Sequence, residues 1–190
     1  MTKGRTKPSD QDLVSISEKP LLYEIKMLFA TAQEIQTSSP GDIHNALIES
    51  FAIHARSLVS FLYWQNEGGG ELSKCKGGKR PYRDDVFAEV FFDEVKTWSE
   101  QRPTKSGLLK TIHKRVGKEI AHLTFLRLDL TDDGKQWDCV NIAKDIAIVL
   151  REFLSVVPHH RVSSSFQQAV SSILQEQNSV GTRSTACTSL

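Results

Sequence analysis

Apolar residues recur every three or four positions through most of this chain, and the gaps between those runs hold its turns. Leu21, Leu22, Ile25, Leu28, Phe29, Ala32 and Ile35 keep one helical face. The spacing predicts a first helix from near Pro20, whose fixed φ suits a first helical position. Ser38-Ser39-Pro40-Gly41-Asp42 reads as a stop and restart, with Ser39 as cap, Pro40 next and Asp42 favourable in the first turn. A second helix is expected to run to about Trp64. Its buried row would be Ile43, Leu47, Ser50 or Phe51, His54, Leu58 and Phe61.

A third helix is expected from Asp84 or Asp85, burying Val86, Phe87, Val90, Phe91, Val95 and Trp98, and ending at Arg102-Pro103. The fourth, at least Leu108 to Leu126, carries Leu108, Leu109, Ile112, Val116, Ile120, Leu123 and Leu126. Thr131-Asp132-Asp133-Gly134 is a turn and cap. The fifth helix runs from Trp137 to Val157, where Pro158 stops it. No alternating strand pattern and no fixed-period repeat is present. The fold class is therefore all-α: an antiparallel bundle of four to five main helices.

The polar stretches set the expected boundaries. Residues 1–17 are basic, aperiodic and expected to be a disordered tail. Residues 18–157 would form the bundle. Residues 158–190 would hold a short amphipathic helix through Phe166, Val170, Ile173 and Leu174, then a disordered Ser/Thr-rich tail. Residues 65–83 break every pattern, because Glu67-Gly68-Gly69-Gly70 and Lys76-Gly77-Gly78-Lys79 hold a helix only at a cost. A long internal loop, exposed and dispensable for stability, is expected there.

Composition narrows the class. The chain has 190 residues, 39% hydrophobic, with 24 basic and 23 acidic side chains and a net charge of +1. Nucleic-acid affinity would therefore have to come from local patches. The three cysteines, Cys75, Cys139 and Cys187, are far apart and form no Cys-x-x-Cys pair. That argues against a disulfide framework or structural zinc and for a reducing compartment. Met1 to Lys19 has no apolar signal core, and no apolar run approaches membrane-spanning length. A cytoplasmic product with no membrane partner is expected.

Arg115, Glu119 and His122 interrupt the apolar stripe of the fourth helix. On an α-helix, seven positions leave Arg115 and His122 roughly 20° apart in azimuth and about 10 Å apart along the axis. Charged groups in such a row need partners or a purpose. The pair resembles the Arg-x(4–6)-His signature of HEPN domains, which are small helical bundles, with the four-helix pattern over roughly residues 20–157. The resemblance implies a homodimer with both side chains in a shared cleft and, in catalytic members, metal-independent RNA cleavage. Imidazole would activate the 2′-hydroxyl, arginine would hold the phosphate, and Glu119 would orient one of them. The structural alternative is an i,i+4 pair between Arg115 and Glu119, with His122 at the core edge.

Other constellations are weaker. Glu119-Ile120-Ala121-His122 is a Glu-x-x-His, but no other histidine has a carboxylate three positions earlier, so a di-iron bundle is not expected. His44, His54, His113 and His122 on facing helices leave a mononuclear metal bundle conceivable, though no metal site or cofactor is assigned. His54 reads first as a core histidine and second as a neighbour of His122. Lys74, Lys76, Lys79, Arg80 and Arg83, with Tyr82 among them, form a basic segment that could follow a phosphate backbone, or a solvated insertion. Surplus apolar stripes point to self-association. Two main readings result: a HEPN-like bundle acting in stress or defence, with RNA as the partner it binds or cleaves, and a non-enzymatic protein-interaction or dimerisation module with a protein as partner.

Overall fold

A computed structural model of the chain describes residues 8–63, 85–94, 97–122, 124, 125, 128 and 136–183. Every regular element among them is helical, as the periodicity requires. They are α1 (Asp10–Ile16), α2 (Leu22–Thr37), α3 (Asp42–Tyr63), α4 (Thr97–Gln101), α5 (Gly107–Arg115), α6 (Cys139–Val156) and α7 (Ser164–Arg183). α2 and α3 form the most extensive helix pair, and the four residues between them force an antiparallel course. α6 packs on both, with α5 against α3 and α6, and α7 against α2 and α6.

The chain folds earlier than its periodicity suggests. Ser9 caps α1 through a reciprocal box with Asp12, and Leu13 is only 1% exposed. Residues 8–17 are thus part of the packed unit. Pro20 does not begin a helix. It sits inside a π-helical turn, Ser17–Leu21, that joins α1 to α2. A proline in a regular helix clashes with the carbonyl four residues back, and the wider turn accommodates it. At the next junction Gly41, not Ser39, is the capping residue. Its φ of 151° is the positive value that favours glycine, and its carbonyl accepts from Asn45 N–H at 2.9 Å.

Two expected helices are different in kind. The tract from Val86 to Trp98 is not one helix but a 3₁₀ turn, Ala88–Phe91, followed by the short α4. Its rings pack around Phe153 of α6, with centroids 5.7 Å away for Phe91, 6.2 Å for Phe92 and 5.5 Å for Trp98. Phe61 of α3 completes the cluster at 5.4 Å. The fourth helix changes character at Val116: Val116–Ala121 is a π-helical turn, and His122 is already extended (φ −122°, ψ 141°). Leu126 lies outside the described residues.

α6 starts at Cys139 with Asp138 capping Asn141 N–H at 3.2 Å. α7 is longer than the short helix expected and runs on to Arg183. The core extends from Leu13 to Leu174, so packing is not confined to residues 18–157. Arg161, 7% exposed, ties its ends together. It donates to Asp10 Oδ1 at 2.8 Å and Phe91 carbonyl oxygen at 3.2 Å, and also pairs with Asp93. Burial works against its charge, and the two carboxylates outweigh it. No described helix is long and apolar enough to cross a membrane.

Candidate functional site

The Arg115 side chain leaves the last residue of α5 and reaches the start of α6. Nε donates to Glu119 Oε1 at 2.9 Å and Oε2 at 3.1 Å, and Nη2 to Oε2 at 2.9 Å. Nη2 also donates to the Gln136 carbonyl at 3.1 Å. The guanidinium carbon stands 4.3 Å from the centroid of the Trp137 ring. Such a forked, stacked arginine is a tie between two chain segments. The expected Arg115–Glu119 pair forms. His122 is exposed rather than packed at the core edge, and lies where the backbone has left the helix. The seven-residue alignment of Arg115 and His122 assumed a regular α-helix over both. The π turn and the extended His122 remove that premise.

The other histidines have separate surroundings. His54, 8% exposed, bonds through Nδ1 to Glu24 Oε2 at 2.8 Å, and Tyr23 meets its ring edge-on at 5.6 Å. It is a satisfied core histidine held to α2. His44 Nδ1 lies 2.8 Å from Ser38 Oγ, and His113 Nε2 lies 3.4 Å from Ser60 Oγ. Among the described residues, no group of three or more His, Cys, Asp or Glu is placed to hold a metal ion. Lys74, Lys76, Lys79, Arg80 and Arg83 lie outside the described residues, as do Cys75 and Cys187. Cys139 is buried at the start of α6. Burial pushes its thiol up to about 12, with Asp138 adding to the shift.

A second charged constellation escaped the sequence reading. Arg102-Pro103-Thr104-Lys105, read only as a helix stop, folds across the C-terminal end of α3. The Leu62 carbonyl accepts from the Trp98 indole at 2.7 Å and from Arg102 Nη1 at 3.1 Å. Tyr63 donates its hydroxyl to the Pro103 carbonyl at 3.0 Å. Arg102 and Lys105 both approach the Tyr63 ring, at 5.2 Å and 5.3 Å from its centroid. Glu89 accepts hydrogen bonds from the Ser99 side chain and from the backbone at Trp98 and Ser99, while its Oε2 is buried without a hydrogen-bond partner among the described residues. Burial raises the Glu89 carboxyl against the pull of Arg102. Burial also lowers Lys105, and the Arg102 charge lowers it further. A legible signal existed: cations flanking a proline, just before the capping Ser106 of α5.

No family model, curated protein or solved structure matches the chain.

Proposed function

We propose that this chain is a non-enzymatic helical module that self-associates through the outer face of α3. One observation carries the reading: a charge-free row of small and apolar residues faces outward there. Ile43, Ala46, Ser50, Ile53, Ser57 and Ser60 recur in steps of three and four, the spacing of a helix–helix seam. Ile43 was expected in the core, yet it is 75% exposed and Ile53 is 52% exposed. Ser50 is half-buried, Ser60 is half-buried at the edge of the row where it meets His113 of α5, and Ala46 and Ser57 are exposed.

The occupant that suits this row is a second copy of it. Antiparallel pairing about an axis between Phe51 and Ala52 sets Ile43 opposite Ser60 of the second copy and Ile53 opposite Ser50. Each large side chain then meets a small one, which lets the helices approach closely. The same register brings Glu49 across from Arg56 twice, by symmetry. Both residues are exposed. The nuclease reading of Arg115, Glu119 and His122 draws less support from geometry, because the guanidinium is engaged with Glu119, Gln136 and Trp137.

Sedimentation at about 100 μM, where a modest dimer is populated, tests the register. Wild type is expected at twice the 21.3 kDa chain mass. Glu49→Arg should give monomer, and adding Arg56→Glu should restore dimer. Monomeric wild type, or a Glu49→Arg dimer as tight as wild type, would sink the reading.

A further inference from the structure

We propose that the cavity at the C-terminal end of α3 binds a small molecule through a phosphate or phosphomonoester group. It is a cleft of about 480 Å³, open to solvent on one side and larger than a bare phosphate ion requires. Its wall carries Arg102, Lys105 and Lys110, with the Thr104 hydroxyl beside them, while Ser99, also in the wall, is hydrogen-bonded to Glu89. Among the described residues, that wall holds no carboxylate.

Two carboxylates that act electrostatically on the wall already have hydrogen-bond partners. Glu89 is electrostatically coupled to Arg102 and accepts hydrogen bonds from the Ser99 side chain and from the backbone at Trp98 and Ser99. Asp145 accepts from Ser106 Oγ at 2.5 Å, and its charge is felt at Tyr63. Two cations within cation–π distance of one aromatic ring repel each other, and burial denies them full hydration. A phosphoryl dianion relieves both penalties at once. It also accepts charge-assisted hydrogen bonds from ammonium and guanidinium groups, and the Thr104 hydroxyl can donate to a remaining lone pair.

The frame is built before any ligand arrives. Arg102 is held at the Leu62 carbonyl and Tyr63 at the Pro103 carbonyl, so these groups lose little freedom on binding. Lys110 projects from the first turn of α5, and Lys105 immediately precedes the capping Ser106. The ligand therefore bridges the end of α3 and the start of α5. The seam residues Ile43 to Ser60 are not in this wall, so the proposal stands apart from self-association.

Calorimetric titration of the full chain with inorganic phosphate, ribose 5-phosphate and ribose tests the site. Ribose 5-phosphate should bind saturably and more tightly than inorganic phosphate, and ribose should not bind. Lys105→Gln and Lys110→Gln should each weaken ribose 5-phosphate at least about tenfold, the scale of one lost charge-assisted contact. Lys110 is exposed, so its variant should keep the wild-type circular dichroism and melting temperature. The idea fails if no saturable binding occurs up to about 10 mM, a millimolar affinity being the weakest a useful site would have. It fails equally if both variants bind like wild type, or if an RNA oligomer binds more tightly than ribose 5-phosphate through the same lysines.

Discussion

Arg115 lies over the indole of Trp137 at 4.3 Å while its guanidinium forks onto Glu119, so one side chain joins the end of α5 to the start of α6. Lysine keeps the charge but supplies neither the fork nor the flat stack. Arg115→Lys should therefore cost about 1 kcal/mol of stability, and Arg115→Ala about 2 kcal/mol, in urea denaturation. A double-mutant cycle with Trp137→Leu should show coupling, because the residues touch. Additive losses would mean that the stacking contributes nothing.

Stability should fall as pH rises through the range where Glu89 ionises. Burial raises its carboxyl in the folded state. The native protein then holds a proton that the unfolded chain has already released. In that window the native state binds more protons, so rising pH favours unfolding. Urea midpoints of wild type and Glu89→Gln, compared from about pH 4 to pH 7, check the sign. The difference should move in favour of the variant as pH rises. A constant difference, or one moving the other way, would contradict a raised carboxyl.

The helices that were legible are those with a strong apolar stripe and a plain stop. α2, α3 and α6 follow the three-and-four spacing because long amphipathic faces bury whole rows, such as Leu58 with Leu62 and Ile146 with Leu150. α1 was missed although Ser9-Asp10-Gln11-Asp12 is a capping-box pattern, since Leu13 alone anchors it fully. The Val86–Trp98 tract has enough apolar residues for a helix. However, its β-branched valines favour helix weakly, and its rings are placed by Phe153 rather than by a helical face. Gly117 within the Val116–Ala121 turn was the readable warning that the Arg115–His122 segment would not stay regular. The cluster beside Tyr63 was legible only as cations around Pro103, because Arg102 and Lys105 meet α3 only through tertiary folding.

Cys139 should be nearly inert to thiol reagents in the folded protein. With its thiol pushed up to about 12, native Cys139 is thiolate only to about one part in 10⁴ at pH 8. Unfolding should speed labelling by about 10³-fold, as the group returns to an ordinary thiol value. A Cys75→Ser/Cys187→Ser background isolates the signal, read with a chromogenic disulfide with and without urea. Fast labelling of the folded protein would mean that the start of α6 opens readily.

The sharpest expectation concerns His122. It is exposed and sits beyond the last helical residue. Removing its imidazole should therefore change stability by less than about 0.5 kcal/mol. On the non-enzymatic reading, wild type and His122→Ala should also leave mixed cellular RNA equally intact in EDTA. A ribonuclease centre makes the opposite demand. Wild type would cut RNA in EDTA, and His122→Ala would stop cutting while melting normally, because proton transfer to and from the 2′-hydroxyl needs the imidazole. Arg115→Lys is less diagnostic, since its loss of the Glu119 and Trp137 contacts lowers stability on either reading. EDTA-resistant cleavage abolished by His122→Ala alone would overturn the non-enzymatic proposal. It would place the chemistry at Arg115, Glu119 and His122.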